Sequence, residues 1–306
     1  MYTKGLAIIG LIGSMFGLAG AVKSADEAEA LVKSPSGGFT VESTDPEGSN
    51  ADALPDVWIV STKDPSQRAK LPKESSDSPP DDEFRFSPNE QWLFGSRHVG
   101  SGLRYANVYH LMSPLRIEAA GAPASFHDLA WENGVKLGAL KKNYSAAGVY
   151  AMTAFQSWSF DSSRVLIRLC GGEEKRSMLC GFLYFNTRTN KFEVTDYSRK
   201  LAKAKPEPLG CAEPIEPLPT EPELKQRLDS LDAELNKKYA AVLAKTDKDR
   251  IDSLRQGQRK WLKARDAGEK IYVETFPVAE KSRRRLQYLS DVTAARISQP
   301  EDQWEW

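Results

Sequence analysis

Leu254-Arg255-Gln256-Gly257-Gln258-Arg259-Lys260-Trp261-Leu262-Lys263-Ala264-Arg265-Asp266-Ala267 is the stretch from which the architecture is read. Ile251, Leu254, Gln258, Trp261, Leu262 and Arg265 recur at three- and four-residue steps, so they share one face of a helix. Working outward, Thr220-Glu221-Pro222-Glu223 opens a preceding helix: threonine can cap free amides, glutamate three residues later completes a capping box, and proline is tolerated in a first turn. Its apolar stripe is Leu224, Leu228, Leu231, Leu235, Tyr239 and Val242. A third helix carries Leu286, Leu289, Val292, Thr293 and Arg296 between Pro277 and Pro300. None of the three can bury its stripe alone, so residues 221–300 are expected to form a small antiparallel three-helix bundle.

Upstream the composition changes. Residues 203–222 hold six prolines, which rules out a helix or central strand there and marks 203–220 as a semi-rigid, extended linker. Residues 57–202 form a β-rich domain, with strands expected at 57–62, 91–96, 106–112, 149–155, 165–169, 181–186 and 191–195 and a short helix near 125–140. Two segments look alike, Phe84-Arg85-Phe86-Ser87-Pro88-Asn89-Glu90-Gln91-Trp92-Leu93 and Trp158-Ser159-Phe160-Asp161-Ser162-Ser163-Arg164-Val165-Leu166. Each places two aromatics at alternating positions before a turn and a strand, which resembles the start of a β-propeller blade. The region has room for about three blades, short of a closed propeller, so the expectation is a small antiparallel sheet domain with blade-like hairpins and a core containing Phe84, Phe86, Trp158 and Phe160. Residues 26–56, rich in Ser, Pro, Asp and Glu, read as a flexible acidic segment. The fold class is α+β, an N-terminal antiparallel β-rich domain followed by the helical bundle.

The first 25 residues read as a cleavable export signal: Lys4 precedes an uncharged apolar run over residues 6–22, and Ala19-Gly20-Ala21 or Val22-Lys23-Ser24 supplies small residues for cleavage. No later stretch is long and apolar enough to cross a bilayer, so no stable membrane insertion follows cleavage. Periplasmic or secreted location fits the cysteines. Cys170 and Cys180 flank a nine-residue stretch able to turn a hairpin, and form the preferred disulfide, leaving Cys211 either free or in competition for one of them. A formal net charge of zero argues against nucleic acid as the main partner. The charge is uneven, though: residues 26–83 carry 14 acids against 5 Lys or Arg, a field that would attract a basic partner.

Catalytic signals are weak. The histidines are His98, His110 and His127, and the chain has no H-E-x-x-H, C-x-x-C, P-loop or G-x-S-x-G pattern, so no catalytic residue, metal or cofactor is assigned. The Gly-rich run over residues 95–102 contains a serine and a histidine but reads better as a loop between strands.

Leu235-Asn236-Lys237-Lys238-Tyr239, the stretch quoted first and Val292-Thr293-Ala294-Ala295-Arg296 together resemble the LprI-type lysozyme inhibitor family, with its patterns L-N-x-x-Y, L-R-x-x-Q-R-x-W-L-x-x-R-D-A and a late T-x-x-R. The resemblance spans about 75 residues and implies an exported, helical, non-enzymatic binding protein whose partner is a lysozyme or another peptidoglycan hydrolase. It marks Asn236, Tyr239, Gln258, Trp261, Leu262, Arg265, Asp266, Thr293 and Arg296. Family members often carry a cysteine soon after Arg-Asp-Ala, where this chain has Gly268-Glu269-Lys270. Two readings of the marked residues stand side by side. One is a structural network, with Gln258 and Arg265 held among Asn236, Tyr239 and Thr293 around a core Trp261. The other is an anchor for a partner, which exposure of Trp261 would favour. An envelope scaffold or immunity-type protein is the alternative function.

Overall fold

One six-residue turn is used three times. In Ser87-Pro88-Asn89-Glu90-Gln91-Trp92 the Ser87 N–H donates to the Trp92 carbonyl (2.8 Å), the Trp92 N–H returns a bond to Ser87 Oγ (3.0 Å), and Asn89 Oδ1 accepts from the Gln91 N–H. Ser159, Asp161, Ser163 and Arg164 repeat each bond one for one. So do Ser34, Ser36, Gly38 and Phe39. The fourth residue takes positive φ in every copy, at Gly37 (74°), Glu90 (58°) and Ser162 (57°). Ser, Asn and Asp suit such turns because a short polar side chain bonds the backbone two residues on.

The structure, a computed structural model, describes residues 29–44, 56–72, 83–99, 103–113, 115–141, 151–171, 179–204, 208–299 and 304. Each turn joins the first two strands of a four-stranded antiparallel meander. The first layer is β1 (Glu29–Lys33), β2 (Phe39–Thr44), β3 (Asp56–Ser61) and β4 (Arg68–Lys70). The second is β5 (Glu83–Phe86), β6 (Trp92–Val99), β7 (Leu103–Met112) and β8 (Arg116–Ala119). The third is β9 (Met152–Trp158), β10 (Arg164–Gly171), β11 (Leu179–Asn186) and β12 (Lys191–Glu193). Second and third layers meet at one parallel pair, Arg104 with Met152.

Two expectations change here. Residues 26–56 were read as flexible, yet they supply β1, β2 and the first turn; few large side chains are needed, because Val41 is fully buried and Thr40 and Ser34 nearly so. The β-rich region is three successive meanders, the first a four-stranded sheet and the second and third joined through β7 and β9 into one of eight strands, rather than one small sheet. The export signal lies outside the described residues.

Alternation along the strands sends side chains to two faces, and each face needs a cover. Val41, Val57 and Ile59 of the first layer pack on Phe84, Phe86, Leu93 and Tyr109 of the second. Phe94 and Val108 of the second meet Val165, Ile167 and Leu183 of the third, with helix α1 (Phe126–Lys136) inserting Phe126 and Trp131 between them. The other face of the third layer, Leu166, Phe182 and Tyr184, packs on the helical end of the chain. Phe84, Phe86 and Trp158 are buried as expected, while Phe160 is only half-buried. Cys170 and Cys180 sit directly opposite in β10 and β11 and are joined; Cys211 is free and buried.

The helical end comprises α2 (Asp196–Leu201), α3 (Glu221–Lys245), α4 (Ile251–Glu274) and α5 (Lys281–Ile297). Contrary to expectation, α3, α4 and α5 do not form a self-contained bundle. α5 packs on α3, on α4 and on β9, and α2 lies against α4, so helices and third sheet share one core. The proline-rich segment is likewise no free spacer. Residues 208–220 run without regular secondary structure but are docked: Gly210 N–H donates to Gln156 Oε1 (3.4 Å), Cys211 N–H to the Tyr197 hydroxyl (3.2 Å) and Ala212 N–H to Ser157 Oγ (2.6 Å). Asp161, already accepting from the third turn, takes the Ile215 and Glu216 amides on its second oxygen. Burial opposes ionisation of Asp161, but the donors from Ser159, Glu216 and Ser163 outweigh it and hold the carboxyl below its usual pKa.

His127 on α1 is fully buried. Thr153 Oγ1 accepts from Trp131 Nε1 (3.1 Å) and lies 3.0 Å from His127 Nδ1, one hydrogen bond to an imidazole whose Nε2 is buried without a partner. Burial pushes the pKa down to about 4. Because the unfolded chain takes this proton first, stability should be full above about pH 6.5 and fall through to pH 4, by a total of order 3 kcal/mol. Urea midpoints at pH 7 and pH 4.5 check this, with His127→Leu losing most of the difference; Asp161 adds its own loss only at lower pH.

Candidate functional site

The helices place the marked residues by simple geometry. Glu223 reaches back to accept from the Thr220 N–H (2.8 Å) and hydroxyl (2.6 Å), fixing the start of α3. On α3, Leu224, Leu235 and Val242 are buried and Leu228 and Leu231 half-buried. Next to Leu235, Asn236 points to solvent, whereas Tyr239, one turn on, is half-buried. The expected network therefore excludes Asn236.

On α4, Trp261 is 6% exposed. The Arg265 and Arg296 guanidiniums lie 5.2 and 5.6 Å from its ring centroid. Trp261 is thus a core side chain under two cations rather than an exposed anchor. Leu262 is half-buried beside it and Asp266 is exposed, with Arg265 Nε 3.6 Å from Asp266 Oδ1. On α5, Thr293 and Arg296 are almost wholly buried. Arg296 donates to Gln299 Oε1 (2.7 Å), Gln258 Oε1 (3.3 Å) and the Trp304 carbonyl (3.3 Å). Burial lowers its pKa to about 10, which leaves it charged at neutral pH. Gln258, Trp261 and Arg296, with Tyr239 one ring away across Trp304, therefore come together; Asn236 and Asp266 do not join them.

Sequence reasoning missed Trp304 and Lys238. The Trp304 ring is fully buried and stacks on Tyr239, with centroids 6.1 Å apart and an 18° angle. Lys238 Nζ donates to the Ile297 (2.6 Å) and Gln299 (3.0 Å) carbonyls, a cation closing the end of α5. It also missed a second buried cluster. Asp291 pairs with Arg227 of α3 (2.8 Å) and accepts from Gln287 Nε2 (2.6 Å), while Tyr272 of α4 donates to Gln287 Oε1. Cys211 Sγ lies 3.2 Å from Gln287 Nε2 and 3.6 Å from Asp291 Oδ2. Burial pushes the Cys211 thiol well up, so it is unreactive. The available signal was the i, i+4 spacing of Gln287 and Asp291 between apolar residues. The apolar stripe through Leu286 and Leu289 hides it, because both of those side chains are only half-buried.

Two of the three histidines have described surroundings, and the side chain of His98 lies outside the described residues. His127 contacts Thr153, Tyr105 and Trp131, and His110 stacks on Trp92. Residues 95–99 of the Gly-rich run belong to β6, and 100–102 lie outside the described residues. A cavity between the first two layers is lined by Val57, Leu71, Phe84, Ser96, Tyr105 and Asn107 among others, without a histidine or an acid. Among the described residues no cluster of His, Cys, Asp or Glu could hold a metal, and no helix is long and apolar enough to cross a membrane.

Residues 221–299 match the family model described as "Lysozyme inhibitor LprI". No curated protein gives a significant match. Among solved structures, the crystal structure of TolB from Acinetobacter baumannii is similar over 53% of this chain and 30% of its own length, at 13% identity and a TM-score of 0.27. That likeness is too low to carry an argument.

The departure at Gly268 now has a physical reason. A Cβ there would lie 2.2 Å from the Tyr288 hydroxyl and 2.3 Å from the Leu209 carbonyl oxygen. The Tyr288 hydroxyl sits between the Leu209 (2.9 Å) and Arg265 (3.0 Å) carbonyls, and the Leu209 N–H donates to the Ala264 carbonyl (3.2 Å). The missing side chain is what lets the proline-rich segment lie against α4. Gly268→Ala should lower stability by about 1–3 kcal/mol through overpacking. An unchanged urea midpoint would show that the segment is not held there.

Proposed function

We propose that this chain is an exported, non-enzymatic binding protein, periplasmic or secreted, whose helical module blocks a lysozyme or another peptidoglycan-cleaving enzyme. The observation that carries this reading is the match of residues 221–299 to the lysozyme inhibitor family. The match covers α3 to α5 alone, and of the sheet layers it is the third on which they pack. The Cys170–Cys180 disulfide supports an oxidising compartment. The acidic balance of residues 26–83 supports attraction of a basic hydrolase, an effect that fades with salt.

A second reading has its own observation. Trp261, Thr293 and Arg296 are almost wholly buried, so packing accounts for these motif positions, as it would in an envelope scaffold or immunity-type protein that keeps the family's helical frame without its inhibitory contact. Turbidity of a cell-wall suspension treated with lysozyme separates the two. Under the first reading, micromolar purified protein slows clearing and binds the enzyme, less tightly as salt is raised. If it neither binds nor slows clearing, the inhibitor reading fails; envelope cross-linking that returns assembly components and no hydrolase then supports the scaffold.

A further inference from the structure

The outward face of α4 is basic over more than two turns. Arg255, Arg259, Lys260 and Lys263 are exposed, and no acid stands between Asp252 and Asp266. Arg255, Arg259 and Lys263 follow one another at steps of four residues, so they form a row about 12 Å long on the helix surface. Arg255 Nη1 lies 3.4 Å from Asp252 Oδ1, both side chains being well exposed, whereas Arg259, Lys260 and Lys263 form no ion pair among the described residues.

The fold gains nothing from this row. Like charges four residues apart repel one another on a helix. Arg255 and Arg259 belong to the pattern by which this stretch resembles the family, yet packing, which accounts for Trp261, Thr293 and Arg296, does not account for them, because they point to solvent. The neighbouring helix shows the contrast. Exposed positions of α3 mix Glu221, Glu223, Asp229 and Glu234 with Lys225 and Lys237, and Lys225 pairs with Asp229 (3.0 Å).

What such a face can bind follows from what it lacks. Every exposed residue from Asp252 to Lys270 is polar, so the aromatic or aliphatic anchor that carries a protein–protein interface is missing. A helix lying in a membrane surface needs a free apolar face, and that of α4 is already committed to the core through Leu254, Trp261 and Tyr272. A row of hydrated cations instead complements an extended polymer with repeated negative charge, which meets several of them at once and gains by multivalency.

We propose that the basic face of α4 binds the carboxylate-bearing peptidoglycan strand, and so holds the protein on the wall on which a hydrolase acts. The proposal rests on the part of the functional reading that places the protein at the cell wall, not on inhibition of an enzyme. Wall binding by α4 leaves the hydrolase to be met by another surface.

The test is co-sedimentation of the full chain with purified sacculi freed of bound protein and of phosphate polymers. The protein should pellet at low salt and be released by about 1 M salt, where charges are screened within about 3 Å. Arg259→Glu with Lys263→Glu should lower the affinity about tenfold or more, with helical signal and urea midpoint kept. Lys225→Glu with Lys237→Glu, the same change of charge on α3, should leave binding within about twofold. Sacculi whose carboxylates have been converted to neutral amides should not retain the protein. Equal loss in both double variants, no loss in the α4 variant, undiminished binding to amidated sacculi, or binding only to sacculi that keep their phosphate polymers or to anionic lipid vesicles would each overturn the proposal. Carboxylate-dependent wall binding through α4 without any slowing of lysozyme supports it and removes the inhibitor reading alone.

Discussion

The outer face of the third sheet layer has to be covered, and the rest of the molecule is arranged around how that is done. Leu166, Phe182 and Tyr184 leave an apolar surface on one side of β10 and β11 while Val165, Ile167 and Leu183 are already committed to the other. A propeller would cover such a face with another blade. Here the cover is a docked strand of irregular chain and a group of helices, with Cys211 and Ala212 filling the middle of the shared core. The backbone of that irregular chain is satisfied by Gln156, Ser157, Asp161 and Tyr197, all from the third layer or from the helix that follows it. A buried stretch without ladder hydrogen bonds is tolerable only with such substitutes.

The same constraint explains the polar interior of α5. A helix on a domain surface buries one stripe, and the stripe drawn from the sequence assumed that. α5 instead faces α3, α4 and β9 together, so Gln287, Ser290, Asp291, Thr293 and Arg296 all fall inside. Its buried charges are compensated locally, Asp291 by Arg227 and Gln287, Arg296 by carbonyl and amide oxygens and by the faces of Trp261 and Trp304. Such clusters fix how three helices and a strand sit together more sharply than apolar contact alone would.

Much of this was legible beforehand where the signal is local. Helix starts follow from Thr220 and Glu223, the cross-strand disulfide from the spacing of Cys170 and Cys180, and two of the three turns from their Ser, Asn and Asp residues flanked by aromatics. The first turn escapes because Ser34-Pro35-Ser36-Gly37-Gly38 sits in an acidic, serine-rich stretch of the kind that usually stays unfolded, and only its hydrogen bonds show the kinship. What could not be read was anything decided by a distant neighbour: the docking of the proline-rich segment, the close approach at Gly268, and the return of Trp304 onto Tyr239 and Arg296. For the candidate site this divides the outcome. Tyr239, Gln258, Trp261 and Arg296 come together around Trp304, which carries no local pattern, while Asn236 faces solvent.

The serial stacking has an evolutionary side. Each layer has its own turn and closes on neighbours alone, so the molecule resembles a short repeat array whose stability is a sum of layers and interfaces. Duplication or loss of a meander at the first-layer side alters one interface and leaves the helical module untouched, because that module is seated on the third layer. At the other side no such freedom exists, since the helices, the docked segment and the third layer share one core. Relatives of this protein are therefore expected to vary in the number of sheets ahead of the helices while keeping the last sheet and the helices as one inherited piece.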